Sequence, residues 1–151
     1  MTWQTQSIDF EHTELLAERL GKKLKGGEVI ELVSDLGGGK TTFVRGLARG
    51  MGSPDHVASP TFTVTREYQA GALTLHHFDF YRLDQPGIVA TELAEIIDDS
   101  NAVIAIEWAN AVHDILPVQH VTVTIKNMGE TAREVTFEYP PSLAYLIEGL
   151  A

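Results

Sequence analysis

Residues 28–51 read, in order, as a short apolar run, a glycine-rich turn and an amphipathic helix, and this order dictates more about the chain than any other stretch of it. The run is EVIELVS (28–34); the segment KTTFVRGLARGM (40–51) brings Phe43, Leu47 and Met51 to one face at helical spacing, despite Gly46. Between them Gly37, Gly38 and Gly39 leave backbone N–H groups bare where a strand turns into a helix, and the helix N-terminus adds positive potential. Both the context and nearly the spelling are those of the phosphate-binding pattern G-x-x-x-x-G-K-[ST]. The departure is Ser34, where that pattern has its first glycine. That glycine mainly permits a tight turn, so Ser34 is expected to cost on the order of 1–3 kcal/mol of backbone strain and to remove no charge.

On this reading the loop from Asp35 and Leu36 through Gly37, Gly38 and Gly39 to Thr42 binds the nucleotide. Lys40 offers a cation to the β- and γ-phosphates, and the Thr41 hydroxyl is a ligand for Mg²⁺. Such a loop needs a carboxylate near the metal and a group that orients water. Asp79 closes the apolar run LTLHHFDF, where a carboxylate is expensive to bury without a cation or donors. Glu107 ends AVIAIE in the same way, followed by Trp108, whose aromatic face could lie against a base. A hydrogen-bonded strand-end Asp79, and a solvated Glu107 beside a core Trp108, are the plainer alternatives. His76 and His77 supply only adjacent ligands, so a packed and a solvent-facing strand histidine are expected in place of a zinc site.

The remaining segments alternate in type. TELLAERLGKKL, capped at Thr13, spaces Leu15, Leu16, Leu20 and Leu24 as a helix. TFTVTREYQ (61–69) and LTLHHFDFYRL (73–83) flank AGA as a hairpin, and TELAEIIDD (91–99) suggests a short acidic helix. AVIAIEW (102–108) is apolar throughout, as in strands buried on both faces; ANAVHDIL is a short helix; HVTVTIK (120–126) and REVTFEY (133–139) are strands. The expected fold is α/β: three layers around a mixed, largely parallel central sheet, as in P-loop NTPases.

With 151 residues, 44% of them hydrophobic, the chain can bury one ordinary core, and 1–151 is expected to be a single domain. The absence of cysteine excludes disulfides, thiolate metal sites and cysteine nucleophiles. No apolar run approaches the roughly 18 residues that span a bilayer, and MTWQTQSIDFEHTE lacks the features of a secretory leader, so a soluble cytoplasmic protein is expected. A formal net charge of −10 has the wrong sign for a surface that neutralises nucleic-acid phosphates. Strong direct binding to RNA is therefore not expected.

Four motifs in order, DLGGGKTTF (35–43), SPTF (59–62), HFDFYRL (77–83) and IEW (106–108), resemble the TsaE family (also called YjeE), small P-loop ATPases of bacterial tRNA threonylcarbamoyladenosine synthesis. The resemblance implies Mg²⁺-dependent ATP hydrolysis that drives a tRNA-modifying complex, with the TsaB and TsaD proteins as partners. It implies phosphate and Mg²⁺ contacts at Lys40 and Thr41, a switch-like Thr61 near the γ-phosphate, and a Walker-B-like carboxylate at Asp79. Glu107 becomes metal-associated or water-orienting, Trp108 lies beside the nucleotide, and Arg133 matches a late nucleotide-contacting arginine. The departures are Ser34 and the segment QPGIVATEL, where the family commonly carries acidic residues. Two other functions compete: a small P-loop kinase, against which residues 83–125 contain no Lys or Arg for a cationic lid, and a nucleotide-gated binding module whose hydrolysis is incidental. A GTPase would need an N-K-x-D motif, which the chain lacks.

Overall fold

The computed structural model describes residues 1–34, 39–58, 65–81 and 87–151. Seven strands form one sheet: β1 (Thr2–Ser7), β2 (Val29–Val33), β3 (Thr65–Ala70), β4 (Leu73–Asp79), β5 (Ala102–Glu107), β6 (Val121–Asn127) and β7 (Arg133–Glu138). Their spatial order is β1-β7-β6-β2-β5-β4-β3. The parallel pairs β2–β5, β2–β6 and β4–β5 align four strands, and two successive antiparallel steps through β7 bring β1 into the same direction. Only β3, antiparallel to β4, and β7 run the other way, so the sheet is mixed and largely parallel as expected. β5 is buried along its whole length, which is why AVIAIE shows no polar alternation.

The sheet is covered on both faces. On one, α1 (Phe10–Gly21), α2 (Lys40–Met51) and a C-terminal 3₁₀ turn (Pro141–Leu146) cover a core that includes Leu20, Phe43, Leu47, Leu75, Val103, Val123, Phe137 and Leu146. On the other, α3 (Gly87–Ile96) and a 3₁₀ turn (Ala109–Val112) pack Leu93, Ala109 and Val112 against Val29, Phe78, Ile104 and Ile106. The fold is that of the P-loop class.

Several boundaries differ from the sequence expectation. α1 starts three residues before Thr13, because Asp9 takes the cap, its Oδ1 accepting from the His12 backbone N–H at 2.7 Å. Thr13 is instead a buried helical residue whose hydroxyl lies 2.6 Å from Ser7 Oγ. Leu15 is 43% exposed and lies off the buried face that Leu16 and Leu20 define. α3 begins at Gly87, before the acidic stretch, and ANAVHDIL folds only as the single 3₁₀ turn. The hairpin forms from β3 and β4, while 61–64, placed in its first strand from sequence, lie outside the described residues. α2 spans 40–51 as expected.

α1 and α2 cross unusually closely. A Cβ at Gly46 would stand 2.2 Å from the Glu14 carbonyl oxygen and 2.6 Å from Ala17 Cβ, and Gly50 and Gly21 meet the facing backbone as tightly. Gly46 is therefore the contact point of two helices, which explains a glycine inside a helix. By this contact α1 fixes the axis of α2, whose first residue is Lys40.

Candidate functional site

Because β2, β4 and β5 are parallel neighbours, their C-terminal ends meet at one edge of the sheet, the edge from which α2 departs. In open α/β sheets that edge is where ligands bind. Asp79 ends β4 and Glu107 ends β5, and the register sets them directly opposite each other. Side chains alternate along a strand, so Leu75, His77 and Asp79 share one face of β4, and Val103, Ala105 and Glu107 share one face of β5. Leu75, Val103 and Ala105 lie in the core beneath α1 and α2, so His77, Asp79 and Glu107 face the helix that carries Lys40.

Lys40 opens α2 behind Gly39, whose φ of 104° is a left-handed conformation that suits glycine. Its ammonium is buried and makes three interactions: a hydrogen bond to the Ser34 carbonyl at 3.0 Å, an ion pair with Glu107 Oε1 at 3.7 Å, and a position 4.4 Å from the Trp108 ring centroid. Glu107 is equally buried; its second oxygen, Oε2, lies 2.5 Å from His77 Nε2. Asp79 Oδ1 accepts from the Tyr81 backbone N–H at 2.9 Å. Burial pushes the Asp79 carboxyl above its ordinary range and the Glu107 charge adds to this, against the opposing pull of the Tyr81 N–H, His77 and Lys40. Two buried carboxylates beside one lysine make a site short of positive charge, a donor set suited to a hard divalent cation.

Trp108 follows Glu107 with φ 57° and ψ 52°, alone among the described non-glycine residues in having a positive φ. A left-handed tryptophan costs on the order of 1–3 kcal/mol, and such outliers cluster at functional sites. The conformation turns the ring back over Lys40 and against Tyr81, whose ring centroid is 5.0 Å away. The strain expected at Ser34 is not found: its backbone is not left-handed, and its carbonyl is the acceptor that holds Lys40. Trp108 and Ser34 also border a cleft of about 470 Å³ that runs past Thr124, Lys126 and Asn127.

Arg133 begins β7 and is buried. Its guanidinium donates to the carbonyls of Gly129, Glu130 and Ala132, at 3.3, 3.3 and 2.8 Å, and lies over the Phe10 ring. A Cβ at Gly39 would stand 3.9 Å from Arg133 Nε, so this arginine adjoins the loop. The structure thus brings together Gly39, Lys40, Asp79, Glu107, Trp108 and Arg133, with Thr41 and Thr42 in the first turn of α2. Asp35, Leu36, Gly37, Gly38, Thr61 and Arg82 lie outside the described residues.

The histidines differ from expectation. His77 is completely buried and bonded to Glu107; His76, on the opposite face, is also nearly buried, with Nδ1 3.6 Å from Glu67 Oε1. Neither faces solvent. The period-two spacing of His77 and Asp79 was the available signal that both point to the same site.

A lysine opening the helix behind a glycine loop, with carboxylates at two adjoining parallel strand ends, defines a protein of the P-loop class. Against known proteins, the family model described as "Threonylcarbamoyl adenosine biosynthesis protein TsaE" matches residues 7–135. A TsaE protein of Bacillus subtilis is 36% identical over 140 residues, covering 91% of this chain and 84% of that one. One from Treponema pallidum is 38% identical over 117 residues, covering 78% and 86%. The crystal structure of Bacillus subtilis YdiB superposes with a TM-score of 0.78 at 31% identity, over 99% of this chain and 94% of the other. The chain belongs to the TsaE family, whose members are named for tRNA threonylcarbamoyladenosine biosynthesis.

Proposed function

We propose that this chain is a Mg²⁺-dependent ATPase that drives or resets the complex installing threonylcarbamoyl on tRNA adenosine. The observation that carries this reading is the buried cluster of Lys40, Glu107 and Asp79 at the sheet edge where α2 begins. ATP is the substrate: its phosphates would take over Lys40 from Ser34 and Glu107, with the backbone of 35–39 and the start of α2 as further donors. Thr41, Asp79 and Glu107 would hold Mg²⁺, which when bound neutralises charge developing on the phosphates. Asp79 and Glu107 would divide between them the tasks of holding the metal and orienting the attacking water. Trp108 would lie beside the nucleotide, and Arg133 would secure the edge of the loop. By the family resemblance, Thr61 would approach the γ-phosphate and sense its presence.

On this proposal residues 1–151 act as one cytoplasmic ATPase domain, with the TsaB and TsaD proteins as partners. A net charge of −10 favours a complementary protein surface over direct tRNA contact. The test is steady-state ATP hydrolysis by the chain alone and with TsaB and TsaD of the same organism, in Mg²⁺ and in EDTA. Metal-dependent hydrolysis that rises with the partners supports the proposal. Absence of hydrolysis under every condition, with ATP-dependent partner affinity retained, would favour a nucleotide-gated binding module.

A further inference from the structure

Glu107 is held at both ends, and the two holders differ in kind. Lys40 at Oε1 belongs to the loop and must turn to phosphate when nucleotide binds; His77 at Oε2 belongs to the rigid interior of β4. Since a carboxylate only accepts, the bond at Oε2 is donated by the imidazole Nε2–H. The other ring nitrogen, Nδ1, is buried and has no hydrogen-bond partner among the described residues. A sealed, unpartnered nitrogen destabilises the fold, so packing alone would be better served at this position by leucine. Among the described residues the imidazole makes one hydrogen bond, and that bond goes to Glu107.

We propose that His77 is a positioning residue: by fixing Oε2 it sets the plane of the Glu107 carboxylate and reserves Oε1 for the phosphate and metal side of the site. Without that bond the carboxylate can rotate about its own axis and lose the orientation the metal needs, while Lys40 keeps the same single ion pair to give up to phosphate. The arrangement is the mirror of the carboxylate that orients a metal-bound imidazole, with the roles of the two groups exchanged. This inference rests on the proposed reading of Lys40, Asp79 and Glu107 as a Mg·ATP site.

The test uses the full chain, His77→Leu and His77→Gln, the latter retaining an amide donor at nearly the same reach. In the unmodified, nucleotide-free chain, imidazole ¹⁵N NMR should show His77 as the Nε2–H form with its proton shifted strongly downfield; an Nδ1–H form would overturn the inference. ATP affinity is then titrated with Mg²⁺ and with EDTA. His77→Leu should lose roughly tenfold or more of the affinity gained from Mg²⁺, the range for groups that orient a metal-holding side chain, while its affinity in EDTA changes little. His77→Gln should recover most of that loss. A His77→Leu chain that melts normally and keeps the full Mg²⁺ increment would overturn the role of His77 alone, leaving the nucleotide site intact. An unmodified chain that binds no ATP would overturn the site and the role together.

Discussion

Ser34 and Lys40 are joined by one hydrogen bond, yet they should respond very differently to substitution. The group that holds the Lys40 ammonium is the Ser34 carbonyl, which any residue supplies. Ser34→Gly should therefore leave ATP affinity within roughly tenfold, about 1.4 kcal/mol. Lys40→Ala removes the buried cation and leaves Glu107 without its ion pair, so both affinity and stability should fall much further in a nucleotide titration and a urea melt. Asp79 carries the opposite trade. Its folded pKa is raised, so its contribution to stability is fully present below the ordinary value of 3.8 and is lost as pH rises through the folded value. At neutral pH the side chain therefore burdens the fold, and Asp79→Asn, which can still accept from the Tyr81 N–H, should melt at a higher temperature while losing hydrolysis. An Asp79→Asn chain of lower stability at pH 7, or one with normal turnover, would contradict this. The charged members of the site were legible in the sequence because a carboxylate closing an apolar strand has few reasons to be there. His77 was legible only in part: its period-two spacing from Asp79 puts both on one face, but its bond to Glu107 follows only once β4 is known to pair with β5.

Among the elements, those with a strong apolar period were readable and those held mainly by backbone pairing were not. α2 was delimited by its glycines and by the spacing of Phe43 and Leu47. β1, TWQTQS, is polar apart from Trp3 and exposes Thr2, Gln4 and Gln6; its backbone pairs with β7 across the whole stretch from Thr2 to Ser7. The start of α1 was misplaced because Asp9 and Thr13 are both good caps, and only the tertiary structure shows Thr13 bonded to Ser7. Gly46 separates local preference from packing most sharply. Alanine is the better helix former by about 1 kcal/mol, yet its methyl would overlap the Glu14 carbonyl and Ala17. Gly46→Ala should accordingly destabilise the protein by about 1–3 kcal/mol in urea unfolding, as overpacking does. Because α1 would be pushed off the helix that begins with Lys40, ATP affinity should fall as well. A neutral or stabilised Gly46→Ala would show that the helices separate without cost.

For the molecule as a whole, the distribution of positive charge governs what the site can do unaided. Lys40 is already committed to Ser34 and Glu107, and on the proposed reading it passes from them to phosphate. Arg133 donates through one guanidinium nitrogen to three carbonyls of the turn before β7 and lies over Phe10, contacts that anchor it at the edge of the loop. Residues 83–125 contribute neither Lys nor Arg. Against these cations stand the two buried carboxylates of the site, Asp79 and Glu107, and a net charge of −10. On the proposed reading, the cations that the described residues bring to the site are thus already engaged, Arg82 lying outside those residues, and an arginine supplied by another protein is worth ~10³–10⁵ in kcat in comparable nucleotide hydrolases. Hydrolysis by the isolated chain should be slow and should rise by at least about tenfold when a basic partner surface docks at the sheet edge where Lys40, Asp79 and Glu107 meet. The same charge predicts no tight binding of tRNA by the chain alone at physiological salt. A steady-state ATPase assay with and without TsaB and TsaD, run beside a direct tRNA titration, checks both statements. Fast turnover in isolation that partners leave unchanged would mean that the site neutralises its own transition state, and tight tRNA binding would mean that local basic groups outweigh the overall charge.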